Sequence, residues 1–196
     1  MLYLQVTRHL VDSWSDCSFP EEGPELTRQD VYKLTVGSLL LALSIVIPLS
    51  MGGVLGVVIG PFTATLASHV PTFLAMLFGP LVAGIVGSGS ALGFFIKLGP
   101  VVGFRAAMHI PVGILGALML RQKVSYPVTL AILAPVHALL EALVVLLFGF
   151  TLQKAGFLVG VGTLLHHTMD SVIAILCWRA LFARNTFPAG SPIKNG

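Results

Sequence analysis

Glu141 and Asp170 are the two acidic residues of this chain that lie beyond its first thirty positions, and each follows a histidine by four residues. The pairs are His137 with Glu141 and His166 with Asp170; Arg105 and His109 repeat the spacing in an earlier segment. Four residues is about one helical turn, so each pair shares a helix face. All three pairs interrupt long apolar runs. A charged side chain near a bilayer centre costs about 2.5–3.5 kcal/mol on insertion scales, so such groups face a bundle interior or a cavity. A guanidinium pairs bidentately with a carboxylate and stays charged at any relevant pH. The pattern predicts a polar pocket inside a membrane bundle, with Arg105 as anchor for an anionic ligand and His109, His137, Glu141, His166 and Asp170 around it. Adjacent His166 and His167 point about 100° apart on a helix, and the spacing to Asp170 selects His166 for the pocket. His69 and His109 each precede a proline by two residues. For His69 the expected role is to hydrogen-bond backbone or a neighbouring helix.

The elements that must position these groups are transmembrane helices. The chain has 196 residues, 56% hydrophobic and 10% charged, with mean hydropathy +0.94. A soluble domain carries about 25% charged residues. The apolar runs are unbroken, as in LTVGSLLLALSIVIPLS, which excludes the alternation of a membrane β-barrel. The expected fold is an all-α integral membrane protein, a bundle of six transmembrane helices at 33–51, 61–79, 80–98, 103–121, 126–150 and 157–183. Residues 1–30, with six of the acidic residues, read as a polar tail, disordered or interfacial, and 185–196 as a second, cytoplasmic tail. Arg28, Lys33, Arg121, Lys123, Arg179 and Arg184 would lie on one side, with Lys97 and Lys154 on the other. The asymmetry predicts both termini in the cytoplasm.

Several functions are excluded by what the sequence lacks. There is no HExxH, cysteine cluster or histidine-rich tract, so no metal or cofactor is assigned; histidine with carboxylate nonetheless suits zinc, nickel or cobalt. Cys17 and Cys177 form no disulfide framework. No nucleophile–base pair, aspartate dyad or phosphate-binding GxxxxGK[ST] loop is present, so neither intramembrane proteolysis nor ATP hydrolysis is expected of this chain. The net charge of +3 comes from basic residues at segment ends and does not indicate nucleic acid.

The strings Leu66-Ala67-Ser68-His69-Val70-Pro71, Phe78-Gly79-Pro80, Arg105-Ala106-Ala107-Met108-His109 and Gly160-Val161-Gly162-Thr163 through His166 and Asp170 add a resemblance. Over about residues 33–184 the chain resembles the substrate-binding S component of an energy-coupling factor (ECF) vitamin transporter, most closely the niacin-specific branch. The resemblance implies a vitamin pocket opening outward, capped by the loop after the first helix. It implies docking on a transmembrane coupling protein that carries two ABC-type ATPases, and delivery of the vitamin by toppling of the whole subunit in the lipid. A small-xxx-small motif on the first helix would meet the coupling protein; here it is Ser38 and Ala42, with serine in place of the usual alanine. Nicotinate fits the residues. Its carboxylate suits Arg105, and its ring nitrogen suits an N–H of His109, His137 or His166, held in that tautomer by Glu141 or Asp170. Phe94, Phe104 and Phe157 are the aromatic rings that could stack on it, although core packing accounts for each. Replacing Arg105 by alanine is then expected to abolish binding and preserve folding. Three other readings stay open: an S component for another vitamin or precursor, a stand-alone proton-coupled carrier using the His–carboxylate pairs, and a metal-binding membrane protein.

Overall fold

The computed structural model describes residues 26–51 and 56–182. The acidic tail up to residue 25, including Cys17, and the C-terminal tail from 183 lie outside the described residues. The described part is helical apart from one two-stranded sheet. Five of its helical stretches are long and apolar enough to cross a membrane: Arg28–Ser50, Pro80–Leu98, Pro100–Arg121, Tyr126–Leu147 and Lys154–Leu181.

Helix α1 spans Arg28–Met51 and begins five residues before the sequence expectation. The reason is a reciprocal cap. Thr27 N–H donates to Asp30 Oδ2 and Asp30 N–H donates to Thr27 Oγ1, both at 3.2 Å, which satisfies two of the helix's orphan donors. Strands β1 (Gly56–Ile59) and β2 (Phe62–Thr65) then form an antiparallel hairpin with Ile59 opposite Phe62. Gly60, at φ +56°, supplies the left-handed turn before Pro61.

The expected spanning helix over 61–79 is not continuous. Strand β2 is followed by a turn at 66–69, a short helix α2 (Val70–Ala75) and a 3₁₀ turn (Met76–Phe78). Ala67 takes a positive φ of 66°, and Pro71 cannot donate into a helix continuing from upstream. Irregular backbone at membrane depth is tolerated only inside protein, and residues 68–78 are all buried.

Helix α3 (Pro80–Leu98) is bounded by Gly79 and Gly99, at φ 114° and 84°. The expected helix over 103–121 is split into α4 (Pro100–Ala106) and α5 (His109–Arg121). Pro111 lacks the N–H that would bond residue 107, and the junction tightens: Met108 N–H donates to the Arg105 carbonyl and Ile110 N–H to the Ala107 carbonyl, at 3.0 and 3.1 Å. Helix α6 covers Tyr126–Leu147. A wide π-type segment, Lys154–Val161, leads into α7 (Gly162–Phe182).

Small residues bring these elements together. A Cβ on Gly89 would overlap Leu41 and Ser44 of α1, and one on Gly93 would meet Pro48. A Cβ on Gly87 would lie 3.0 Å from the His109 carbonyl group, so glycine there lets α3 touch the first turn of α5. Tyr32 at the start of α1 packs on Phe78, ring centroids 6.0 Å apart. The Arg121 guanidinium lies beside Gly79, and Tyr126 packs on Trp178. These contacts gather the start of α1, the α2–α3 turn and the end of α5 at one end of the bundle. The hairpin lies toward the opposite end.

Candidate ligand pocket

The break at Met108, the turn at 66–69 and the first turns of α7 converge on one place. Five histidines meet there. The His69 ring centroid lies 4.6 Å from that of His109, 4.8 Å from His137 and 4.5 Å from His166, and His167 is 5.3 Å from His137. Three of them stand two residues from a proline: His69 before Pro71, His109 before Pro111 and His137 after Pro135. Each proline interrupts a helical ladder beside its histidine.

The residues singled out from the sequence divide into two layers. Arg105, His109, Glu141 and His166 line a cleft of about 280 Å³, open mouth included, whose roof is Thr63–Thr65 of β2. Ser68, His69 and Phe94 line it too. His137 and Asp170 lie behind that wall and are fully buried. Phe104 and Phe157 are exposed on the outer surface, so of the three candidate rings only Phe94 borders the cleft.

Arg105 is 2% exposed and does not share a partner with His109. Its Nε and Nη2 both donate to Glu141 Oε2 on α6, with Nε at 3.2 Å. Nη1 donates to the Pro61 carbonyl at 2.9 Å and to Thr63 Oγ1 at 3.2 Å, and Nη2 to the Thr63 carbonyl at 3.4 Å. The guanidinium therefore fastens the hairpin to the bundle, with its carbon 5.7 Å from the Phe62 ring centre. Thr163 Oγ1 donates to the same Glu141 oxygen at 2.6 Å. A Cβ on Gly162 would overlap the Phe62 ring, so glycine there lets α7 press against the hairpin and bring Thr163 within reach.

Both His–carboxylate pairs form within their helices, at 3.4 Å for His137 Nε2–Glu141 Oε1 and 3.6 Å for His166 Nε2–Asp170 Oδ2. Shorter contacts cross between elements. Asp170 accepts from Ala67 N–H at 2.9 Å, from His69 N–H at 3.0 Å and from His69 Nδ1 at 2.9 Å. It thus satisfies the donors that the irregular turn leaves free and orients the His69 ring. Ser68 Oγ lies 3.2 Å from His166 Nε2 and Ser90 Oγ 2.8 Å from His109 Nδ1. His167 is turned away from Asp170. Its Nδ1 is 3.0 Å from His137 Nδ1 and its Nε2 donates to the Leu130 carbonyl at 3.0 Å.

His69 bonds a neighbouring helix through Asp170, as expected from sequence, and it also stands at the centre of the histidine cluster, which was not expected. The signal available was the His-x-Pro string it shares with His109. Ser90 and Thr163 were also missed as polar partners, because single hydroxyls in small-residue runs read as packing.

No family model matches the chain. A curated relative, the niacin transporter NiaX of Lactococcus lactis subsp. cremoris (strain MG1363), is 38% identical over 177 residues, which covers 80% of this chain and 79% of that protein.

Proposed function

This chain belongs to the family of the niacin transporter NiaX, the niacin branch of the ECF S components, and from that premise we propose that it captures nicotinate outside the cell and releases it inside when docked on an ATPase-bearing partner. The chain is a multi-pass protein of the bacterial plasma membrane. The observation that carries the reading is Arg105, a buried guanidinium at the wall of a cleft roofed by the hairpin. Three of its hydrogen bonds go to neutral hairpin oxygens. A ligand carboxylate can replace these with bonds in which donor and acceptor are both charged, and can meet the guanidinium bidentately. Exchange of hairpin for ligand couples binding to the seating of the roof. The ring nitrogen then meets an N–H of His166, and Phe94 closes the apolar side. Glu141 holds Arg105 within the wall, and His137 and Asp170 support it from behind.

The test is calorimetric binding to the purified chain in detergent, comparing nicotinate with nicotinamide. Nicotinate should bind at least about tenfold more tightly, given that a hydrogen bond to a charged group contributes about 1.5–3 kcal/mol. Equal affinity for the two would rule out the charged anchor, and binding of neither would remove niacin as the cargo.

The six passes of an S component, with both termini cytoplasmic, are part of the same proposal. The hairpin, turn and short helix over 56–78 would take the place of one spanning helix. Partner docking falls on α1, the least buried of the long helices, 17% of its apolar window being buried against 33–50% for the rest. Ser38 and Ala42 lie exposed on it, one turn apart, and Ser38 Oγ is folded back on the Leu34 carbonyl at 2.7 Å, which leaves a low surface for a second helix. An Ala42→Trp variant should bind nicotinate normally yet fail to co-purify with the coupling protein and its two ATPases. Intact assembly of that variant would move the docking face elsewhere.

A further inference from the structure

The tautomers of the buried histidines are set by their neighbours, and they leave lone pairs facing each other. The Leu130 carbonyl only accepts, so His167 Nε2 carries a hydrogen. With His167 uncharged, its Nδ1 is an acceptor, and His137 Nδ1 donates to it. His137 Nε2 is then bare. It is buried, has no hydrogen-bond partner among the described residues, and faces Glu141 Oε1 at 3.4 Å. The hydrogen bonds from Arg105 and Thr163 fall on the other oxygen, Oε2. His69 repeats the pattern: its Nδ1 is held by the Asp170 carboxylate, which leaves Nε2 bare. His109 Nδ1 lies 2.8 Å from Ser90 Oγ, and when it donates to that hydroxyl its Nε2 is bare as well. Opposed lone pairs in a low-dielectric interior repel unless a cation lies between them.

We propose that His69, His109, His137 and Glu141 hold a divalent cation of the zinc class at the floor of the pocket. One ligand atom from each lies within 4.8 Å of all the others. Bonds of about 2.0–2.1 Å place tetrahedral ligands roughly 3.3 Å apart, so side-chain adjustments of about an ångström complete the shell. Three imidazoles and one carboxylate suit zinc and its borderline neighbours, and exclude the hard cations that prefer oxygen alone. Each ligand is also held from behind, His69 by Asp170, His109 by Ser90, His137 by His167 and Glu141 by Arg105 and Thr163, which is how metal-binding side chains are oriented.

The ion also answers a charge problem, and this part rests on the nicotinate reading. One guanidinium against the two carboxylates Glu141 and Asp170 leaves the site with one excess negative charge when the histidines are uncharged. That repels an anionic vitamin. A divalent ion reverses the sign and makes the pocket attractive to a carboxylate.

The experiment uses the full chain, purified in detergent with any affinity tag removed. Metal content is measured by plasma mass spectrometry, zinc affinity by calorimetry, and nicotinate affinity with and without prior chelation. The expected result is about one ion per chain, X-ray absorption fine structure with imidazole nitrogen neighbours, and nicotinate affinity lowered at least tenfold by chelation and restored by zinc. His109→Gln should weaken zinc at least a hundredfold. Ser90→Ala, which keeps every ligand and removes only a supporting hydroxyl, should weaken it about 10–100-fold. Nicotinate binding undiminished in metal-free protein, or zinc binding equal in wild type and His109→Gln, would overturn the proposal, and would mean that a proton on His137 separates the lone pairs. Stoichiometric zinc without nicotinate binding would uphold the ion and sink the vitamin reading instead.

Discussion

Arg105→Ala is expected to lose nicotinate binding and, contrary to the expectation from sequence, to fold less stably. Sequence alone presents Arg105 as a free anchor. The structure makes it one half of a buried ion pair with Glu141 and the fastening of the hairpin. Removing one partner of such a pair costs about 3–5 kcal/mol, because the other is left charged and unpaired in the interior. A double variant, Arg105→Leu with Glu141→Leu, removes both charges. It should recover much of the thermal midpoint, since an apolar pair of similar volume is often neutral or better. It should still bind no nicotinate. Thermal unfolding in detergent, followed by intrinsic fluorescence and paired with calorimetry, separates the two roles. Retained nicotinate affinity in Arg105→Ala would sink the anchor assignment whatever the midpoint does.

The legible part of this protein was what depends on composition and on helical period. Helices α1, α3, α6 and α7 follow from unbroken apolar runs, and the stops at Gly79-Pro80 and Gly99-Pro100 follow from the dipeptides themselves. Three of the i, i+4 relations singled out beforehand concern residues that do converge, and each carboxylate faces its histidine one turn away, at 3.4 and 3.6 Å. The rest depended on partners distant in sequence. The 61–79 segment has the hydropathy of a helix, but two of its backbone donors, on Ala67 and His69, go to Asp170, more than a hundred residues away. Nothing local records that. Arg105 and His109 both line the cleft, but Pro111 interrupts the ladder at residue 107, and the two side chains take different partners, Glu141 and Ser90. The Thr27–Asp30 cap was likewise written in the sequence, as a threonine followed three residues later by a carboxylate, and it moves the start of α1 from residue 33 to residue 28.

Asp170→Asn should damage the protein nearly as much, by a different route. Asp170 accepts two backbone N–H groups and the His69 ring from a position with no solvent exposure. An asparagine keeps one acceptor oxygen and turns the other side into a donor, which then faces donors. Each lost hydrogen bond to a charged group is worth about 1.5–3 kcal/mol, and the orphaned donors stay buried. The turn at 66–69 loosens, Ser68 and His69 lose their places in the pocket wall, and both the thermal midpoint and nicotinate affinity fall. The variant also discriminates between mechanisms. In a proton-coupled carrier Asp170 would have to gain and lose a proton in each cycle, so a permanently uncharged amide would mimic one state: substrate binding would persist while uptake stopped. If Asp170 instead pins the turn, binding itself weakens, and uptake through partner ATPases falls in proportion to the affinity lost. Measuring nicotinate affinity and reconstituted uptake side by side, with and without an uncoupler, decides between a titrating carboxylate and a fixed one. Full binding with uptake abolished in Asp170→Asn would contradict the structural role argued for it.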